Sequence, residues 1–375
     1  MLTILADENI PLLDKLFSQL GTITTLPGRE IRPQHLADVD ILLVRSVTRV
    51  DSNLLQGSAV KFVGSCTIGT DHMDRSYLDK MGIGWANAPG CNANAVVQYV
   101  FSAMATLVSD WDEKVVGIIG CGNVGSRLLA CLQAMGVKCL CYDPLIAQDK
   151  SELTTFNEVL TADIISCHTP LTTSGCYPTH HLISESELVQ LQPGALLINT
   201  SRGAVVDNTA LLEFLKQQPD FKVALDVWEN EPDINTELLS KVDIGTPHIA
   251  GHSLEGKWQG SVQVYRALSN YLQIDTGGHD PAALITTQPK KLNPPKKNDV
   301  RSQQNAILLD AYNIIEDNLE LRRWYSQRQD AMPVFFDRLR KNYPVRRDYL
   351  HCLAPNWLEK EQHKRFLEAL GFNSR

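Results

Sequence analysis

Long apolar runs are missing from this sequence of 375 residues. No stretch reaches the roughly 18 uninterrupted apolar residues that a membrane-spanning helix needs. Excess positive charge is missing too. Lysine and arginine total 35 against 43 aspartates and glutamates, a formal net charge of -8, so the molecule repels nucleic acid phosphates and anionic lipid headgroups. Neither nucleic acid nor membrane is an expected partner, and an anionic substrate must be held by a local site. The nine cysteines contain no C-x-x-C pair and are scattered mainly among Val, Ile and Leu. That argues against zinc and thioredoxin-like chemistry and for reduced thiols packed as small apolar groups; no metal is expected. Low-complexity tracts and internal repeats are lacking. The opening MLTILADENIP puts Asp7 and Glu8 where a secretory signal needs a basic segment and a long apolar run, so a soluble, cytoplasmic protein is expected.

What is present is an ordinary globular composition, 43% hydrophobic and 21% charged, at a length that suits two or three domains. Short apolar runs at Leu2 to Ala6, Ile23 to Leu26, Asp40 to Val44, Lys61 to Val63 and Ile83 to Trp85 alternate with amphipathic or loop stretches. That alternation is the pattern of a parallel sheet covered on both faces. The break Asn87-Ala88-Pro89-Gly90 ends this unit. A helix from about Ala93 to Ser109 follows, read as the crossing between domains.

A second series opens with the β-branched run Val115 to Ile119 and continues at Val137 to Tyr142, Asp163 to Cys167, Ala195 to Asn199, Lys222 to Leu225 and Val242 to Ile244. Count and spacing indicate a second doubly wound sheet. A helix from about Leu254 to Leu272 returns the chain toward the first unit. Expected boundaries are therefore 1–92 completed by about 253–285, 93–252, and 286–375. The last begins with QPKKLNPPKKN, read as an exposed linker, and contains a basic run, Phe336 to Arg347, read as a solvated face.

Gly120-Cys121-Gly122-Asn123-Val124-Gly125 directly follows an expected strand and opens an expected helix. The first glycine allows a tight turn and the second lets backbone amides reach a pyrophosphate at the helix N-terminus. The third permits close helix–strand contact. Asp143 ends the next strand, at the spacing of the acid that holds adenosine ribose hydroxyls; its charge disfavours a 2'-phosphate, which points to NAD rather than NADP.

Three further motifs fall at or shortly after strand ends: Thr200-Ser201-Arg202-Gly203, Asp226 through Pro232, and Pro247-His248. Open parallel sheets bind ligands outside their carboxyl ends, so these motifs converge on one crevice with the glycine loop. Oxidising an alcohol by hydride transfer requires a base for the hydroxyl proton, a carboxylate to orient and stabilise an imidazole base, and a cation for a substrate carboxylate. His248, Glu231 and Arg202 are those three types.

Ala88-Pro89-Gly90-Cys91-Asn92, the Gly120 to Gly125 loop, His168-Thr169-Pro170-Leu171, Asn199 to Gly203, Asp226 through Pro232 and Pro247-His248-Ile249 together resemble the D-2-hydroxyacid dehydrogenase family. The resemblance implies an α/β protein with two doubly wound parallel-sheet domains, Rossmann-like and flavodoxin-like. The first is a substrate-binding lid and the second binds NAD. A small C-terminal α+β dimerisation domain follows. It implies NAD-dependent oxidation of a small phosphorylated 2-hydroxy acid in a cytoplasmic homodimer. Arg202, Glu231 and His248 would be catalytic. Asp143, Thr169, Thr200, Ser201, Arg202, Asp226 and Gly251 would line the NAD site with the glycine loop, and Ser46 and Thr67 the substrate site. Arg45 is a further candidate cation, and His252 stands where the resemblance leads one to expect tyrosine. A sibling acting on phosphoglycerate or another hydroxy acid, and a non-catalytic NADH-sensing regulator of the same fold, remain open.

Overall fold

The computed structural model describes residues 1–146, 153–274, 288–327 and 332–372. It separates into two compact units, Met1–Asn92 with Ser253–Gln288, and Ala93–His252 with Pro289–Arg375. The expected completion of the first unit to about residue 285 lies partly outside the described residues.

In the first unit, β1 (Leu2–Asp7), β2 (Gly21–Leu26), β3 (Ile41–Val44), β4 (Phe62–Ser65) and β5 (Gly84–Ala86) form a parallel sheet ordered β2-β1-β3-β4-β5. Side chains alternate between its faces because successive strand residues point to opposite sides. Ile4, Ala6, Ile41, Leu43 and Phe62 pack under the helices Leu13–Phe17 and Leu254–Tyr271, while Leu5, Leu42, Val44 and Val63 pack with Leu54 and Leu78 on the other side. The returning helix comes close enough that a β-carbon at Gly260 would stand 2.4 Å from the Cys66 carbonyl oxygen.

The second unit is built on β6 (Val116–Ile119), β7 (Cys139–Tyr142), β8 (Ile164–Cys167), β9 (Leu196–Asn199), β10 (Lys222–Leu225) and β11 (Ile244–Gly245). All neighbours are parallel and the order is β11-β10-β9-β8-β6-β7. Succession switches sides between β6 and β8, which opens a crevice at their carboxyl ends. The last strand begins at Ile244 rather than at the expected Val242, whose carbonyl instead accepts from Arg322 Nη2 at 2.6 Å.

The tail departs from expectation in three ways. Its helices Val300–Ala311, Ile314–Gln327 and Lys360–Leu370 and the two-residue parallel pair of Lys290–Lys291 with Cys352–Leu353 share the core of the second sheet instead of enclosing one of their own. Helix Ala93–Leu107 is buried on nearly every side because the tail covers its outer face: Ser102 Oγ donates to the Tyr312 carbonyl (2.7 Å) and Gln98 Nε2 to that of Arg347 (2.9 Å). The QPKKLNPPKKN segment is no free linker, since Leu292 and Pro294 are buried and Lys290 Nζ donates to the carbonyl of Asp310. The basic run is not wholly a solvated face either, for Arg346 and Arg347 are 6% and 9% exposed.

Candidate active site

The glycine loop connects β6 to helix Gly125–Met135. Gly120 has φ of 90°, a region that favours glycine, and a β-carbon at Gly125 would lie 1.9 Å from the Gly120 carbonyl oxygen. A β-carbon at Gly122 would meet nothing within 4 Å among the described residues. Two glycines are thus required by the turn and the third faces open space, as a pyrophosphate lying against the helix N-terminus would require. Asp143 follows β7; its Oδ2 accepts from the Cys121 amide (2.8 Å), tying the acid to the loop. Thr169, after β8, has a buried hydroxyl with no hydrogen-bond partner among the described residues, a group left for a bound molecule. These features fit NAD.

His168 was not singled out as a site residue, although its position just past β8 follows the strand-end rule. Its ring nitrogens meet Ser166 Oγ (2.9 Å) and Thr200 Oγ1 (3.1 Å), and burial pushes its pKa down to about 3, so the ring is neutral. Two expected cofactor contacts have their side chains occupied within the chain. Ser201 Oγ donates to Asn199 Oδ1 (2.6 Å). Asp226 is 1% exposed; its Oδ1 accepts from Thr246 Oγ1 and the Ile249 amide, both at 2.7 Å, and its Oδ2 from the Ala250 amide at 2.8 Å. In this arrangement the Asp226 carboxylate holds the loop after β11.

That loop carries His248, whose backbone φ of 55° is uncommon for a residue with a β-carbon. His248 Nδ1 lies 2.7 Å from Glu231 Oε2, and Glu231 Oε1 accepts from the Trp228 amide at 2.9 Å. Burial pulls the Glu231 carboxyl up, but the adjacent His248 and the Trp228 amide more than offset this and hold it below its ordinary value. An ionised Glu231 accepts from Nδ1–H, which leaves Nε2 as the nitrogen that takes a proton.

His248, Glu231 and Arg202 line one cavity of about 430 Å³, together with Leu171, Trp228 and Glu229. The three chemical types picked out at separate strand ends therefore share one pocket. Arg202 Nη1 donates to the Ser201 carbonyl (2.8 Å), which orients the guanidinium. The same cavity contains His180 and His181, which the sequence reading missed; together with Glu229 their ligand atoms lie within 4.8 Å of one another. Both nitrogens of His181 already face carboxylates, Glu229 Oε1 at 2.5 Å and Asp207 Oδ2 at 3.3 Å, so the ring is fixed in the pocket wall.

The remaining expected residues divide between the units. Gly251 and His252 follow Ala250 in the second unit, with the His252 ring edge-on to Tyr343, centroids 5.7 Å apart. Arg45, Ser46 and Thr67 belong to the first unit, in loops after the neighbouring strands β3 and β4; Thr67 Oγ1 pairs with Ser65 Oγ at 3.0 Å.

Residues 92–250 match the family described as D-isomer specific 2-hydroxyacid dehydrogenase, NAD binding domain. Among solved structures, the D-lactate dehydrogenase of Aquifex aeolicus, complexed with NAD and lactic acid, has a TM-score of 0.63 at 25% identity, covering 72% of this chain and 95% of that one. An NAD-bound 3-phosphoglycerate dehydrogenase from Entamoeba histolytica shares the fold with a TM-score of 0.64 at 22% identity, covering 72% and 95%. The fold is that of the D-2-hydroxyacid dehydrogenase class. Erythronate-4-phosphate dehydrogenase of Cellvibrio japonicus is 44% identical, covering 98% of this chain and 99% of its own length. That of Teredinibacter turnerae is 46% identical over 99% and 98%, and that of Escherichia coli 47% over 92% of each. The chain belongs to the erythronate-4-phosphate dehydrogenase family.

Proposed function

We propose that this protein is an NAD-dependent dehydrogenase that oxidises 4-phospho-D-erythronate to (R)-3-hydroxy-2-oxo-4-phosphobutanoate, a step of vitamin B6 biosynthesis. The observation that carries the chemistry is the single cavity in which the His248–Glu231 pair and Arg202 meet.

NAD, when bound along the Gly120 to Gly125 loop with Asp143 and Thr169 near it, supplies the hydride acceptor. His248 Nε2 takes the proton of the C2 hydroxyl as the carbon loses its hydrogen with both electrons. Glu231 holds the imidazole through Nδ1 and stabilises the imidazolium that forms. Arg202 grips the substrate carboxylate and polarises the forming carbonyl, which a planar guanidinium does in two-point fashion. Ser46 and Thr67 contact the substrate, with Arg45 a cation for its phosphate or carboxylate and His252 a further hydrogen-bonding group.

The working form is proposed to be a cytoplasmic homodimer. The tail leaves Val334, Val345 and Leu350 exposed in the single chain, and a second copy would cover them. No helix among the described residues is long and apolar enough to cross a membrane.

Purified protein with NAD is tested against 4-phospho-D-erythronate, 3-phosphoglycerate, glycerate and lactate, following NADH absorbance. A preference for the first supports the reading; a clear preference for another overturns the substrate. No turnover alongside tight NADH binding favours a regulator. Light scattering reads the dimer.

A further inference from the structure

We infer that Arg346, in the C-terminal tail, is a positioning residue that sets the catalytic loop of His248. The inference rests on the proposed role of His248 as the base.

The segment 248–250 is gripped from two sides. Asp226 accepts from the amides of Ile249 (2.7 Å) and Ala250 (2.8 Å). Arg346 Nη2 donates to the carbonyls of the same two residues, to Ile249 at 3.3 Å and to Ala250. A carboxylate on the donors and a guanidinium on the acceptors clamp consecutive peptide units directly after a residue held at φ of 55°. Both clamping groups are buried, Asp226 at 1% and Arg346 at 6% exposure, where charge-assisted hydrogen bonds are strong and costly to lose.

Arg346 is itself held in place. Its guanidinium stacks 4.3 Å from the ring centroid of Tyr312 and 5.7 Å from that of Tyr343. The hydroxyls of both tyrosines donate to one oxygen of Asp317, at 2.6 and 2.8 Å. One nitrogen of the guanidinium, Nη2, reaches both carbonyls while the delocalised plane stays close to the Tyr312 ring, a packing against an aromatic face that a compact ammonium does not reproduce. Arg346 touches no reacting atom, so its contribution passes through the geometry of His248. A displaced imidazole loses proton transfer without loosening the nucleotide.

The test is steady-state kinetics of the full chain with NAD and 4-phospho-D-erythronate, for Arg346→Gln, Arg346→Lys, His248→Ala and the double variant His248→Ala/Arg346→Gln. Arg346→Gln should lower kcat by roughly ten- to a hundredfold with KM for NAD unchanged. Arg346→Lys should fall between it and wild type, and added methylguanidinium should restore part of the activity of Arg346→Gln. In the double variant the Arg346 change should cost nothing beyond His248→Ala. Wild-type kcat in Arg346→Gln, or the same fold-loss repeated in the His248→Ala background, overturns the inference. If Arg346→Gln is insoluble, Arg346→Lys decides, and unchanged kcat there overturns it. Full activity of His248→Ala removes the base role and this inference with it, which separates that failure from one confined to Arg346.

Discussion

The backbone at Gly203 lies so close to Trp228 that a β-carbon there would stand 1.9 Å from the Trp228 carbonyl carbon and oxygen and 2.4 Å from the Glu229 amide nitrogen. This contact joins the loop carrying Arg202 to the loop carrying Glu231. Asn208 reinforces it, with Nδ2 donating to the Val206 carbonyl (2.9 Å) and Oδ1 accepting from the Glu229 amide (3.1 Å). Gly203→Ala should therefore push the two loops apart. We expect a destabilisation of about 3 kcal/mol, the upper end for overpacking, and a fall in kcat beyond what lost stability explains. Denaturant unfolding with kinetics on the folded fraction checks both, and wild-type behaviour in either measurement contradicts the contact's role.

The glycine loop offers a contrast between fold and cofactor. Gly122→Ala adds a methyl where the described chain has nothing within 4 Å, whereas Gly125→Ala drives one into the Gly120 carbonyl oxygen at 1.9 Å. Gly122→Ala should keep the wild-type melting temperature and raise KM for NAD, because the methyl occupies the approach of the pyrophosphate. Gly125→Ala should lose melting temperature in the absence of nucleotide. Calorimetry without NAD, paired with NADH titration, separates them; a destabilised Gly122→Ala protein would contradict the open face.

Removing the imidazole tests the base. His248→Ala should bind NADH as wild type does while losing roughly a hundredfold or more in kcat. Fluorescence titration and turnover on the same preparation give the comparison, and undiminished turnover takes His248 out of the chemistry.

Glu231→Gln keeps the shape of the side chain and removes its charge. Turnover should fall by about 10²-fold or more, since a neutral amide no longer stabilises the imidazolium. The stability difference has a defined sign with pH. The Glu231 carboxyl is held below its reference of 4.5, so its ionised form contributes stability above that pH and loses it as pH falls toward the folded-state value. The gap between wild type and Glu231→Gln should be full at neutrality and close below pH 4.5. A gap independent of pH through that range rules out the Glu231 charge as its source.

His168 titrates in the opposite sense to a paired histidine. Burial pushes it down to about 3 from 6.5, so the unfolded chain takes up a proton that the folded chain refuses. Stability attributable to it is intact above pH 6.5 and is lost as pH falls from there toward 3. Between about pH 6.5 and 5, above the carboxylate range, His168→Gln should show a shallower decline in melting temperature than wild type. Equal slopes would contradict a neutral buried ring.

The sequence by itself placed the strands of the second sheet to within about two residues at their ends. Runs such as Val116 to Ile119 and Leu196 to Asn199, buried on both faces, must be nearly continuous in apolar residues, and the glycine loop must follow the first of them. Because parallel strands present their carboxyl ends together, placing Arg202, Glu231 and His248 after such runs was enough to bring them to one edge. Tertiary structure alone decided which charged groups are buried and whom they serve. The Asp226 carboxylate holds the His248 loop, a role its place in the motif does not announce, and Arg346, inside a basic run, read as solvated. Burial of a charge depends on partners, and those of Arg346 stand 96 residues back at Ala250, with aromatic rings at Tyr312 and Tyr343. No local period records such a meeting, since the free energy that permits it comes from groups that become neighbours only when the chain has closed around them.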